Sequence, residues 1–437
     1  MENAQGTKKG VTRSELLKRG AAGALAFSGA TAIAGSAAAP TATASAGTLH
    51  ALTPGFAPYA EAVFEEFKKD TGINVTTEPV SLAGLFPKLA SIITARDDSY
   101  DLIYGFISTN KFIGEAVYRD ISKLIPGTLR PLPKQALATQ GRFGRVFGIP
   151  WNVSSLIMAY RKDLFRQAGV RRVAPNWTRF YAQVRKAQAE QPGISGFGIP
   201  FGAPFTAYIF FLIFLNGAGA LVAKGRRGNR ITVNSPAGLA AMEELKRLGD
   251  SGILDPASEE WGQVEEPGKK YAAGNLVSHV NFDVFFPGFE DTSSSSVVGK
   301  TGSSIIPGVQ GRRRSGSVNL TDGMNLAHFT KQRRLAVEWF KWIARTDTQL
   351  KLARNPDIGI YGVSPSVKNR RDIRRANPAI ATVQLQQRLG GPAQFPPYIT
   401  DAQPAIQSAV LGVVGGKTSP ARGLREVRNA LRKARDA

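Results

Sequence analysis

The chain holds no cysteine and only three histidines, His50, His279 and His328, which lie far apart and make no metal-ligand spacing. That removes thiol catalysis, cysteine-ligated zinc, disulfides and a lipid anchor on cysteine. The acids a hydrolase would need (Asp101, Asp283, Glu259, Glu260, Glu265, Glu266) have no context that sets two of them across a cleft. No glycine-rich phosphate loop precedes a lysine at the required spacing. No catalysis, metal or cofactor is expected. What remains is a set of aromatic and small polar residues beside turn formers. Trp151, Asn152 and Ser154 follow Gly148-Ile149-Pro150, and Phe56 sits within Pro54-Gly55-Phe56-Ala57-Pro58. Ser108, Thr109 and Asn110 follow a short apolar run, and Tyr361 lies between Gly359 and Gly362. Such residues suit a small polar ligand: flat rings can cover an apolar face while hydroxyls and amides bond its polar atoms. Each also has a plainer role: Phe56 as a loop anchor, Thr109 and Asn110 as helix caps, Trp151 as a hinge plug.

The elements that must position them can be read from periodicity. Residues 47–52 read as a strand, and apolar residues at Tyr59, Val63, Phe64 and Phe67 predict a helix stopped by Gly72. Residues 73–77 predict a second strand, 82–93 a second helix and 101–104 a third strand. This alternation predicts an α/β fold with a largely parallel sheet, in which Phe56 and the 108–110 segment leave strands on the side where ligands bind. Residues 156–160 predict a strand long enough to cross between lobes. Further helices are expected around Phe180–Ala187, from Pro236 to near Gly249, over 334–343 and from Pro420 to the C-terminus. The apolar run 207–222 is interrupted at Asn216 and Gly217, so it reads as a buried helix rather than a membrane span.

The 437 residues are enough for more than one domain, and 43 % hydrophobic residues argue for packed cores. The formal charge of +23 raises a nucleic-acid partner. The basic residues are scattered, with short clusters near 225–230, 312–314 and 369–375 and no recognition helix, so no nucleic acid is expected. A basic surface suits solubility or contact with an anionic cell envelope. Lys8, Lys9, Arg13, Lys18 and Arg19 precede a soft Ala- and Gly-rich stretch from Gly20 to Ala39 and a small-residue run ending at Ala46. These are the parts of a secretory signal, so residues 1–46 are expected to direct export to the periplasm or outer face of the envelope. Thr12-Arg13-Ser14-Glu15-Leu16-Leu17-Lys18 resembles a twin-arginine signal, departing from it at Ser14 and Leu16.

The order of motifs resembles the extracellular solute-binding proteins of ABC importers, in particular the sugar-binding, maltodextrin-binding-like family. The segment from Phe64 to Val75 is similar to that family's first helix and second strand. Gly148-Ile149-Pro150 followed by Ala159-Tyr160-Arg161-Lys162-Asp163-Leu164-Phe165 is similar to its G-x-P and Y-N-K-D-L-F block, with Arg161 in the asparagine's place. Pro175 to Phe180, Thr232 to Pro256 and Ser408 to Leu431 continue the resemblance across nearly the whole chain after residue 46. It implies two α/β lobes joined by hinge crossovers, one holding residues 47–154 and 304–345, the other 155–303 and 346–437. It places Phe205 and Tyr208 on the second lobe's wall, and Phe282 with Asp283 as a stacking ring and polar neighbour. Asn325 would mark the return to the first lobe, and a polar contact would fall near residues 108–110. The resemblance further implies a monomer that hands its ligand to ABC permease subunits. A sugar acid, sugar phosphate or polyamine stands behind a neutral sugar as the ligand; Arg142, Arg145 and Arg161 would serve an anion if they faced inward.

Overall fold

The computed structural model describes residues 47–437 apart from 56, 58, 107, 108, 111, 112, 226, 227, 313, 314, 356, 357, 359, 378, 392 and 393. The expected export segment, Phe56 and Ser108 therefore lie outside the described residues.

The first elements follow the predicted order: β1 (Thr48–Pro54), α1 (Tyr59–Thr71), β2 (Asn74–Val80), α2 (Leu82–Ala95) and β3 (Leu102–Phe106). Gly72 closes α1 with φ of 73°, a conformation that costs glycine little and other residues more. Ser81 caps α2 by accepting from the Gly84 amide. The next long strand, β4 (Gly148–Arg161), is followed by α3 (Trp177–Ala189), β5 (Ser195–Gly198), α4 (Pro204–Ala218) and α5 (Pro236–Asp250). The chain continues through β6 (Leu276–Phe282), β7 (Thr301–Ser304), β8 (Asn319–Leu326) and α6 (Arg333–Ala344). It ends with α7 (Ala379–Leu389), α8 (Ile399–Val414) and α9 (Pro420–Asp436).

The main sheet runs β2-β1-β3-β8-β4-β6-β5, with β7 also paired to β4. It is mixed, not largely parallel. The pairs β1/β2, β1/β3 and β5/β6 are parallel, whereas β8 runs against both β3 and β4, and β6 and β7 run against β4. The parallel expectation holds for the αβ alternation at the chain's start and fails where the long strand meets partners from distant sequence.

β4 joins the two lobes. Residues Gly148 to Ser155 pair with β8, while Leu156 to Tyr160 pair with β6. The expected crossing strand thus begins at Gly148, eight residues before the predicted start. The two halves of β4 serve different hydrophobic cores. One core joins Leu49, Phe64, Phe67, Ile103, Phe147, Trp151, Met324 and Trp339. The other joins Leu156, Met158, Trp177, Phe180, α4, α5 and the apolar faces of α8 and α9. α4 is buried along nearly its whole length, as its apolar composition requires of a helix outside a membrane. Among the described residues no helix is long and apolar enough to cross a membrane.

α5 and α8 approach so closely that a Cβ at Gly249 would stand 1.9 Å from the Val414 carbonyl oxygen. Alanine is worth about 1 kcal/mol over glycine inside a helix. Backbone cannot yield as a flexible side chain does, so the clash should outweigh that gain. Gly249→Ala is expected to destabilise the protein by roughly 1–3 kcal/mol. A thermal melt that shows equal or raised stability would refute this packing.

Candidate functional site

Period-two alternation divides β4 at the crossing. Asn152 and Ser154 turn to one side and line a cavity between the lobes. Trp151 packs into the first lobe's core, where it is 1 % exposed. The β4–β8 register passes from Pro150↔Gly323 to Asn152↔Asp322, so Trp151 is the extra residue of a bulge. This juxtaposition sets Asp322 directly across from Asn152 and brings both to the cavity wall.

The first lobe's wall is Ala57, Tyr59, Tyr104, Phe106 and Asp322, from the start of α1 and the ends of β3 and β8. The opposite wall carries Phe205 and Ile209 of α4, Val264, Phe282 and the following Val284 and Phe285, while Leu320 of β8 adds an apolar side. The cavity measures about 60 Å³, room for a few waters. Across it Phe106 meets Phe205 edge-to-face at 5.7 Å, and Phe205 in turn stacks on Phe395 at 6.4 Å.

Asp322 is the focal polar group. Its Oδ2 accepts from the Tyr104 hydroxyl at 3.2 Å and the Tyr59 hydroxyl at 3.4 Å. Its Oδ1 is buried with no hydrogen-bond partner. The Trp151 indole N–H lies near enough to favour the carboxylate, but without hydrogen-bond geometry. Desolvation pushes the Asp322 acid up to about 7; the two tyrosine hydroxyls oppose this, and the charge of Asp283 adds to it. Burial likewise raises both tyrosines well above their ordinary range, so they stay protonated donors.

Asp283, 1 % exposed, stands one side chain back from the cavity: its Oδ1 accepts from the Ser154 hydroxyl and, at 3.1 Å, from the Ser155 amide. Asn152 is fully buried, and its Oδ1 accepts from the Tyr361 amide at 3.3 Å. That bond orients the side chain, because a backbone N–H demands the oxygen. The Asn152 Nδ2 is consequently a buried donor without a partner.

The structure therefore brings together Asn152, Ser154, Phe205 and Phe282, with Asp283 behind them, and separates the other described candidates from the cavity. Trp151 is not a stacking floor. Its ring is covered by Tyr59, Phe64 and Trp339 at centroid distances of 5.6, 6.1 and 6.0 Å. Thr109 closes its own turn, bonding the Phe106 carbonyl and amide. Asn110 and Asn325 bond each other at 2.7 Å inside the first lobe, and Asn110 also holds Thr139 and Gln140. Tyr208 is buried in the second lobe and donates to the Gln394 carbonyl. Tyr361 is 2 % exposed; its backbone clamps β4 by accepting from the Val153 amide, and its hydroxyl accepts from Asn377.

Tyr59, Tyr104, Phe106, Phe285 and Asp322 escaped the sequence reading. Phe106 and Tyr59 had a signal, since both stand where β-strands feed turns toward the predicted ligand side. Asp322 had none without the β4–β8 register. Among the described residues lining the cavity none is cationic. Arg145 faces Glu115 at 3.5 Å, Arg161 bonds Asp163 at the far end of β4, and Arg142 packs over Phe143.

Two lobes, a strand that belongs to both, and a polar cluster under aromatic walls at their junction define a binding protein with a hinged cleft. Residues 51–350 match the family model described as bacterial extracellular solute-binding protein, and the chain belongs to that family. A putative binding protein of Brucella abortus (strain 2308) is 24 % identical over 312 residues, covering 68 % of this chain and 71 % of its own length. The maltose-bound MalE3 of T. maritima superposes with a TM-score of 0.80 at 18 % identity, over 89 % of this chain and 100 % of that one. An ABC transporter solute-binding protein of Agrobacterium radiobacter K84 in complex with ribitol gives a TM-score of 0.76 at 20 % identity, over 89 % and 98 % of the two chains. These likenesses establish the two-lobed α/β periplasmic-binding-protein fold.

Proposed function

We propose that the protein captures a small polyhydroxylated solute, a sugar or polyol, between its lobes and delivers it to an ABC permease. The observation that carries this reading is the pairing of Asn152 Nδ2 and Asp322 Oδ1, a buried donor and a buried acceptor, both unpartnered on the wall of one aromatic-lined cavity. Such groups are costly in a cavity wall unless a ligand satisfies them. Maltose and ribitol, held by two proteins of the same fold, are ligands of that chemistry. The lobes would close by rigid-body hinge motion about β4 and its neighbours, with the Phe106–Phe205 contact as the latch.

Asn152, Ser154, Phe205, Phe282 and Asp283 keep their proposed roles, now joined by Asp322, Tyr59 and Tyr104. A sugar acid or sugar phosphate fits poorly, because no cation is found among the described residues of the wall. Glycoside hydrolysis fits poorly too, since Asp283 is tied to Ser154 and Ser155 rather than facing Asp322 across a substrate-sized gap. We keep the division of the chain near residues 154 and 155, but the cores place Ile306, Val309 and Val318 with the second lobe and Leu352, Ile358, Ile360 and Val363 with the first, against a return segment of 304–345. Residues 1–46 are proposed to serve export, and the exported protein to act as a monomer.

A thermal-shift screen of the protein over neutral sugars, polyols, amino sugars, sugar acids and polyamines tests the proposal. It expects a saturable rise with a polyhydroxylated compound, and a diminished one in Phe205→Ala. A rise with polyamines alone would overturn the reading.

A further inference from the structure

We infer that the ligand of this cleft carries a protonated amine as well as hydroxyls, and that Asp322 selects for the amine. The inference rests on the reading of the cavity as a site for a polyhydroxylated solute and narrows it to an amino sugar or amino polyol.

The geometry requires two kinds of ligand group at once. Asn152 Nδ2 is a donor, so it calls for an acceptor, which a hydroxyl oxygen supplies and an ammonium cannot. Asp322 Oδ1 is an acceptor, and its carboxylate stands in a wall whose other described residues are aromatic rings, aliphatic side chains, Asn152 and Ser154. An isolated carboxylate in such surroundings lacks a counter-charge. The groups that face it are the Tyr59 and Tyr104 hydroxyls and the Trp151 indole, all neutral donors, together with a second acid, Asp283, whose charge acts against it. Among the described lining residues there is no Lys, Arg or His. A ligand hydroxyl would supply one more neutral donor. A ligand ammonium would supply the missing charge, and charge-assisted hydrogen bonds are roughly twice as strong as neutral ones. The rings of Tyr59, Tyr104, Phe106, Phe205, Phe282 and Phe285 add faces that attract a cation.

The basic surface does not contradict this. A formal charge of +23 is spread over the whole chain, and exposed charges are screened within about 10 Å in ordinary salt. The cleft is sensed by what lines it, and the one carboxyl among its described lining residues is that of Asp322.

The test is a calorimetric titration of the protein with matched pairs that differ only by amine for hydroxyl: glucosamine against glucose, galactosamine against galactose, mannosamine against mannose. It is run at a pH where the amines are protonated. At least one amine is expected to bind roughly tenfold or more tightly than its hydroxyl partner. In Asp322→Asn, which keeps the shape and removes the charge, that ratio should collapse toward one. Circular dichroism and a melt confirm that the variant is folded. Equal or tighter binding of the neutral partner in the native chain, or a ratio that survives Asp322→Asn, overturns the inference and leaves the polyhydroxylated reading standing. Silence toward every compound of both series removes that reading, and the inference with it.

Discussion

Trp151→Ala should cost the protein about 3–5 kcal/mol of folding stability, the range for truncating a buried large aromatic. The indole is the point where Tyr59, Phe64 and Trp339 meet, and its removal opens a void in the first lobe's core directly beneath the cleft. Denaturant unfolding checks this, with Trp151→Phe expected to recover part of the loss. Ligand affinity should fall only as a consequence, through Tyr59 and Asp322, which rest against the same ring. A variant that melts like the native chain yet binds nothing would mean that the indole is a binding surface after all.

The second large effect concerns pH and two buried groups whose contributions run in opposite directions. The Asp322 acid sits higher in the folded chain, at about 7, than its ordinary value near 4. Its folded form holds the proton more tightly, so its contribution is complete below about pH 4 and is lost as pH rises through about 7. His279 is the reverse. Buried against Tyr271 and Phe289, it is pushed down to about 3 by burial, so its contribution is present above about pH 6.5 and is lost as pH falls toward 3. Each shift of about three units corresponds to an effect on the order of 4 kcal/mol. Between about pH 4 and 6.5 the two slopes oppose each other in the native chain. Separating them is the experiment. Asp322→Asn should leave stability that climbs with pH across this window and should stabilise the ligand-free protein above pH 7. His279→Leu should leave stability that declines with rising pH through the same window. Denaturant melts at a series of pH values read both slopes, and parallel profiles for the two variants would contradict the assignment.

Much of the architecture was legible because it is local. The alternation of short strands and helices before residue 106, the capped helix beginning at Pro236 and the terminal amphipathic helix from Pro420 each depend on neighbours within a few turns. The binding residues depend on something longer-ranged. Once residues 148–161 are known to form one strand, Asn152 and Ser154 must share a face, while the bulge breaks the alternation at Trp151 and the ring goes into the first lobe's core. A strand read from 156 contains neither the shared face nor the bulge. Asp322 was hidden for a different reason. Its place across from Asn152 is a pairing over 170 residues, set by a sheet in which β8 lies between β3 and β4. Thr109 and Asn110 are polar residues in a suitable region, but they find partners inside the lobe, and Asn325, whose Oδ1 is unpartnered, bonds Asn110 away from the cavity wall. A polar residue near a cleft is informative only when its own fold leaves it unsatisfied.

Applied to the described residues that line the cavity, that criterion leaves Asn152 and Asp322, and a density map of the protein crystallised with whichever compound shifts its melt tests it most directly. Density is expected between the lobes, with a ligand acceptor on Asn152 Nδ2, a ligand donor on Asp322 Oδ1 and Phe205 moved off Phe106 to cover it. Density elsewhere on the molecule, or a ligand in the cleft that leaves both of those atoms unpaired, would contradict it.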